Sequence, residues 1–127
     1  MTLRILAIDD SRTMREMLKS SLSAAGFEVH TADDGLHGLD RMAEVDPDVV
    51  ITDINMPRLD GFGVIEELRQ DPKTREIPIV ILTAKSLSAD EEKNLEERIY
   101  TVIQKQGLQG EALLKTNSSA LTQPKTT

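Results

Sequence analysis

The chain has 127 residues, 39% of them apolar and 29% charged, the size and balance of one packed domain rather than a disordered segment. Lys and Arg number 15 against 22 Asp and Glu, a formal charge of −7, which leaves no cation surplus to replace the counterions on a nucleic-acid backbone. Cysteine is absent, so disulfides, thiolate catalysis and zinc–sulfur sites are excluded.

The first element in chain order is a strand over Leu3–Ile8, an almost continuous apolar run that ends in Asp9-Asp10. The start of the chain lacks the basic segment and long apolar core of a secretion signal, so a cytoplasmic location is expected. Met14, Leu18, Leu22 and Ala25 then recur at helical spacing, and Gly26 is a natural stop. Phe27–Thr31 alternates, with Glu28 and His30 polar, which places it at a sheet edge. Asp33-Asp34 opens a helix over Gly35–Ala43 that carries Leu36, Leu39 and Met42. A second buried strand, Val49–Thr52, ends in Asp53, and Gly61–Gln70 is helical through Phe62, Ile65 and Leu68 before Asp71-Pro72. Ile79–Leu82 is the fourth strand and ends in Thr83. Ser88-Ala89-Asp90-Glu91 reads as a capping box for a fourth helix. Tyr100–Ile103 is a fifth strand with Lys105 just beyond it, and Glu111–Leu121 is a weakly patterned fifth helix.

Strands alternating with helices imply βαβ crossovers, hence a doubly wound α/β domain with a five-stranded parallel sheet. One domain is expected over residues 1–122, followed by a polar tail over 123–127. The longest apolar runs, Val49–Ile51 and Ile79–Leu82, are far too short to cross a bilayer.

In open parallel sheets functional groups collect beyond the carboxyl ends of the strands. Here those ends carry Asp9-Asp10, Asp53, Thr83 and Lys105. Carboxylates meeting at one edge repel unless a cation sits among them. An all-oxygen set without His or Cys points to a hard divalent ion, Mg²⁺ above all, with Mn²⁺ able to substitute. A carboxylate nucleophile, Mg²⁺, an ammonium and a hydroxyl are together the parts needed to accept a phosphoryl group. Taken singly, an acidic pair after a strand is a helix cap, a Thr is nothing special and a Lys is a solvated charge. Their joint placement at the strand ends is what favours the chemistry. His30 and His37 lack a second ligand at useful spacing and read as surface residues. Met14, Met17 and Met42 read as core filler, and Asp90-Glu91-Glu92-Lys93 as a solvated first helical turn.

The motifs Ile8-Asp9-Asp10-Ser11, Thr52-Asp53-Ile54-Asn55-Met56-Pro57 with Asp60-Gly61, Leu82-Thr83-Ala84-Lys85 and Gln104-Lys105 resemble those of the receiver domains of two-component response regulators. The resemblance covers about residues 3–115 and is closest in the first half to the single-domain chemotaxis type. It implies a flavodoxin-like (βα)5 fold with strand order 2-1-3-4-5. It makes Asp53 the phosphoacceptor, charged by a sensor histidine kinase or a histidine phosphotransfer protein. Asp10 becomes a direct Mg²⁺ ligand, Asp9 acts mainly through a metal-bound water, and Asp53 and the backbone carbonyl of Asn55 complete the protein ligands. Thr83 and Lys105 hold phosphoryl oxygens, with Thr83 moving inward on phosphorylation. The implied protein is a cytoplasmic monomer without a nucleic-acid or membrane partner, and it catalyses only its own phosphotransfer and dephosphorylation. No effector segment is expected beyond residue 127, so output is expected by contact with a protein target through the fourth helix, fifth strand and fifth helix, or by onward transfer in a phosphorelay.

Three features depart from the family pattern. Gln106 stands where Pro commonly follows the lysine, so a trans Lys105–Gln106 bond is expected. Val102 stands where an aromatic switch residue is usual, with Tyr100 nearer the strand start. The stretch Glu96–Gln106 lacks the Gly-Ala-rich turn before strand five and is closer to receivers of hybrid kinases. Among rivals, a haloacid dehalogenase-type phosphatase wants an acid two residues after its nucleophile, and Asn55 cannot serve as one. A flavodoxin-like cofactor protein would need a Gly-rich phosphate loop after strand one, and aromatic residues beyond Phe27, Phe62 and Tyr100. A degenerate, purely binding receiver would not need the full set of site residues.

Overall fold

A computed structural model describes residues 2–83, 87–96 and 101–104. The strands β1 (Arg4–Ile8), β2 (Glu28–Ala32), β3 (Val49–Thr52), β4 (Ile79–Thr83) and β5 (Thr101–Gln104) form one sheet in the order β2-β1-β3-β4-β5. All neighbours are parallel, as the alternation of strands with α1 (Arg12–Ala24), α2 (Gly35–Val45), α3 (Gly61–Gln70) and α4 (Ala89–Glu96) requires. This is the flavodoxin-like architecture expected from the sequence.

The continuous apolar runs are explained by a core on each face of the sheet. Leu6, Ile8, Val50, Ile79 and Ile81 point to one side, where they meet Met42 of α2 and Val64, Ile65 and Leu68 of α3. Ile5, Ala7, Val49, Ile51, Val80 and Leu82 point to the other and meet Leu18 and Leu22 of α1. Adjacent residues of one strand thus serve opposite cores, so both register positions are apolar up to the strand ends, where Thr52 and Thr83 are buried. β2 lies at one edge of the sheet and β5 at the other, and the exposed Glu28 of β2 agrees with its alternating pattern. Met14, Met17 and Met42 all pack against these cores, as filler should.

Local chemistry sets the helix ends. Ser11, Asp34 and Asp60 cap α1, α2 and α3 through side-chain oxygens that accept from Met14, His37 and Gly63 amides. Ser88 and Glu91 form the reciprocal capping box at α4, with bonds of 3.0 and 3.1 Å. Several boundaries move by one or two residues from their sequence positions, and two of these shifts have a visible cause. Phe27 is excluded from β2 because its N–H turns back to Leu22 O at 3.1 Å and closes α1. α2 continues through Val45, which is 4% exposed, and stops where Asp46 turns left-handed at φ 50°.

Among the described residues no helix is long and apolar enough to cross a membrane. The expected helix over 111–121, the tail over 123–127, and Lys85, Tyr100, Lys105 and the bond between residues 105 and 106 lie outside the described residues, as does the side chain of Val102.

Candidate functional site

The parallel register brings the carboxyl ends of β1, β3 and β4 side by side, with Ile8 opposite Thr52 and Thr52 opposite Ile81. Ladder bonding continues one residue past two of these strands. Asp9 N–H donates to Ala32 O, and Asp53 N–H donates to Ile8 O, each at 3.0 Å. Both acidic residues are thereby anchored by backbone before any side-chain contact forms. One carboxylate oxygen from each of Asp9, Asp10 and Asp53 lies within 4.8 Å of the other two. Among the described residues no other such trio of acidic or histidine side chains converges.

The three differ in surroundings. Asp9 and Asp53 are buried, at 1% and 6% exposure, while Asp10 is exposed and opens the cluster to solvent. Asp9 Oδ1 accepts the Ser11 amide at 2.9 Å, and Arg15 of α1 reaches back to donate to the Asp9 carbonyl at 2.7 Å. Asp53 Oδ1 accepts the amide of Ile54 at 2.7 Å, which fixes its carboxylate against the following peptide. Thr83 is fully buried at the end of β4, level with Gln104 of β5. Asn55 is exposed in the loop after Asp53. The structure therefore gathers Asp9, Asp10 and Asp53, sets Asn55 in the loop that follows and Thr83 on the neighbouring strand end. Lys105 follows the last residue of β5 in sequence and is not among the described residues.

The loop after Asp53 is held by Gly61, which the Asp60-Gly61 motif marks, and by Arg58, which no sequence pattern reveals. A Cβ on Gly61 would lie 2.4 Å from the Asp53 carbonyl oxygen, so α3 can begin this close only with glycine there. Arg58 has φ 68°, a left-handed conformation that few residues with a Cβ adopt. Its Nε donates to Asp34 Oδ2 at 2.8 Å, and its Nη2 donates to the same oxygen. The His37 amide, and after it the Arg58 guanidinium, hold the Asp34 carboxyl below its ordinary value of 3.8 against the opposing effect of burial. His37 pairs with Asp33 at 2.9 Å and His30 with Glu28 at 2.7 Å, so neither histidine enters the acidic trio.

Residues 5–116 match the family model of the response regulator receiver domain. The chain belongs to that family. Response regulator MprA of Mycobacterium sp. (strain KMS) is 46% identical over 85 residues, which are 67% of this chain and 36% of that protein. This receiver thus spans about a third of the length of the curated relatives it matches. The chemotaxis protein CheY4 of Vibrio cholerae superposes with a TM-score of 0.86 at 32% identity, covering 94% of this chain and 98% of that one. The receiver domain of a signal transduction histidine kinase from Syntrophus aciditrophicus gives 0.81 at 27% identity, covering 99% and 98%. Receivers are signalling domains rather than turnover enzymes, and they bind Mg²⁺ in an acidic pocket. Asp9, Asp10 and Asp53 of this receiver form an acidic cluster whose carboxylate oxygens lie close enough together to share a metal ion.

Proposed function

We propose that this receiver accepts a phosphoryl group on Asp53 from the phosphohistidine of a sensor kinase or phosphotransfer protein, in a Mg²⁺-dependent reaction. The observation that carries the reading is the convergence of Asp9, Asp10 and Asp53 within 4.8 Å at adjacent strand ends. The donor set fits the metal: oxygen only, anionic, and open to solvent on the Asp10 side, which suits a hard ion that keeps part of its water shell. Asp9, Asp10, Asp53 and the Asn55 carbonyl would hold it. Bound there, Mg²⁺ supplies positive charge beside the transferring phosphoryl oxygens.

The chain's own residues do the rest. The Ile54 amide holds Asp53 Oδ1, which fixes the carboxylate for attack by its other oxygen. An O–P bond forms on Asp53 as the P–N bond of the donor breaks, and the imidazole leaves with the bonding pair. The Thr83 hydroxyl and the Lys105 ammonium serve the phosphoryl oxygens. The transfer needs no general acid from this chain, because a donor imidazole protonated on its other ring nitrogen leaves as neutral imidazole, in keeping with Asn55 two residues beyond the acceptor. The signal then leaves by protein contact on the face of α4 and β5, or by onward transfer of the phosphoryl group.

The test is phosphorylation by a small-molecule donor with and without Mg²⁺, read by intact-mass spectrometry on wild type and Asp53→Asn. A phosphoryl adduct on wild type alone, dependent on Mg²⁺, is the expected result. An adduct that persists in Asp53→Asn places the acceptor elsewhere.

A further inference from the structure

We propose that Asp34 and Arg58 are a positioning pair for the acceptor site, a role that rests on the reading of Asp53 as phosphoacceptor. The loop over 54–60 carries Asn55, whose carbonyl is a proposed metal ligand, and it must be held in one conformation to present it. Arg58 is the odd residue in that loop. Its backbone takes the left-handed region at φ 68°, where glycine would sit without steric conflict. Its side chain is 58% exposed, so burial of its stem does not explain its presence.

The explanation lies at the guanidinium. Two of its nitrogens, Nε and Nη2, converge on Asp34 Oδ2 across 24 residues of sequence. Asp34 is itself 6% exposed, and its other oxygen, Oδ1, accepts the His37 amide at 2.9 Å as the cap of α2. One buried carboxylate thus divides its oxygens between a helix and a loop. The two segments are also in backbone contact beside the pair: a Cβ on Gly35 would lie 2.2 Å from the Leu59 carbonyl oxygen. From Arg58 the loop runs directly into α3, where the Gly61 amide donates to Ile54 O at 2.8 Å, next to Asp53. The first turn of α2 is therefore the fixed point against which the loop is set. The pair touches no reacting atom and acts through the placement of residues 54–56.

Breaking it should weaken Mg²⁺ engagement without removing the nucleophile. Phosphorylation by phosphoramidate is measured against Mg²⁺ concentration for wild type, R58A, D34N, the double variant, R58G and R58K, with melting in EDTA recorded for each. R58A and D34N should each raise the half-saturating Mg²⁺ about 10-fold, the range for partners that orient metal ligands. The rate at saturating Mg²⁺ should stay near wild type, a split that simple loss of folded protein would not produce. The double variant should be no worse than either single one, because one interaction is being removed. R58G keeps the backbone conformation but lacks the guanidinium and should match R58A. R58K should recover part of the loss, since it keeps charge without the fork. Unchanged half-saturation in R58A and D34N, additive effects in the double variant, or wild-type behaviour in R58G each overturn the pair while leaving the acceptor reading intact. Wild type that takes no phosphoryl group overturns the acceptor reading, and the positioning role falls with it.

Discussion

Gly61 stands against the backbone of Asp53: a Cβ at residue 61 would lie 2.4 Å from the Asp53 carbonyl oxygen and 2.7 Å from the Ile54 Cα. The obstruction is main chain on both sides, so it cannot be relieved by a rotamer change. Gly61→Ala must therefore displace either the start of α3 or the acceptor peptide. Overpacking of this kind costs about 1–3 kcal/mol, and the displaced peptide carries the carboxylate that is the proposed nucleophile. The expected outcome is a lower urea midpoint together with a slower phosphorylation rate at saturating Mg²⁺. Wild-type values for both would show that the backbone can part here without consequence.

A second prediction concerns the charge that the site concentrates. Asp10 is exposed, yet its carboxylate lies within 4.8 Å of those of Asp9 and Asp53. In a water-like dielectric, like charges at this range repel by about 1 kcal/mol per pair, and by more where water is excluded. Asp10→Ala should raise the metal-free melting temperature by about 4 °C and remove the rise that Mg²⁺ gives the wild type. It should also abolish phosphorylation, because repulsion and metal binding share one cause. A metal-free melting temperature clearly below wild type would contradict this.

The N-cap of α1 offers a contrast between stability and chemistry at neighbouring atoms. Ser11 Oγ accepts the Met14 amide at 3.2 Å, whereas its backbone N–H donates to Asp9 Oδ1 at 2.9 Å. Ser11→Ala removes the first bond and keeps the second. Stability should drop by about 1 kcal/mol, with the Mg²⁺ dependence of phosphorylation unchanged. Chemical denaturation and a Mg²⁺ titration of the rate separate the two, and a shifted titration would mean that the hydroxyl also serves the site.

The fold was legible because burial on both faces writes itself into composition: Val49–Thr52 and Ile79–Thr83 have no exposed position, and their apolar runs are continuous. The acidic trio was legible for a related reason, since parallel topology sends every strand end to the same edge. What could not be read were links between residues far apart in sequence. Arg58 and Asp34 are separated by 24 residues, fall in no periodic pattern, and Arg gives no hint of a left-handed φ, which Gly or Asn would have given. Arg15 likewise carries no sequence mark that sets it apart from a solvated charge on α1, although it donates to the Asp9 carbonyl at 2.7 Å. Phe27 misled in a smaller way, because a strand former beside the edge strand spends its amide on closing α1.

The last prediction follows from the direction in which Asp34 is shifted. The His37 amide and then Arg58 hold its carboxyl below the ordinary 3.8 despite burial. A group whose folded pKa is lowered binds its proton more weakly in the native state, so its ionised form contributes to stability. That contribution is fully present above the unfolded value near 3.8 and is lost as pH falls through the lowered folded value. Asp34→Asn keeps a capping side chain but cannot ionise, and it cannot pair with Arg58 as an anion. The wild type should therefore be more stable than Asp34→Asn at neutral pH, with a gap that holds constant on acidification and closes only below pH 3.8. Urea midpoints of the two proteins across a pH series give the gap directly. One that already closes nearer neutrality would assign the stabilisation to a different titrating group, and one that widens in acid would reverse the sign of the argument.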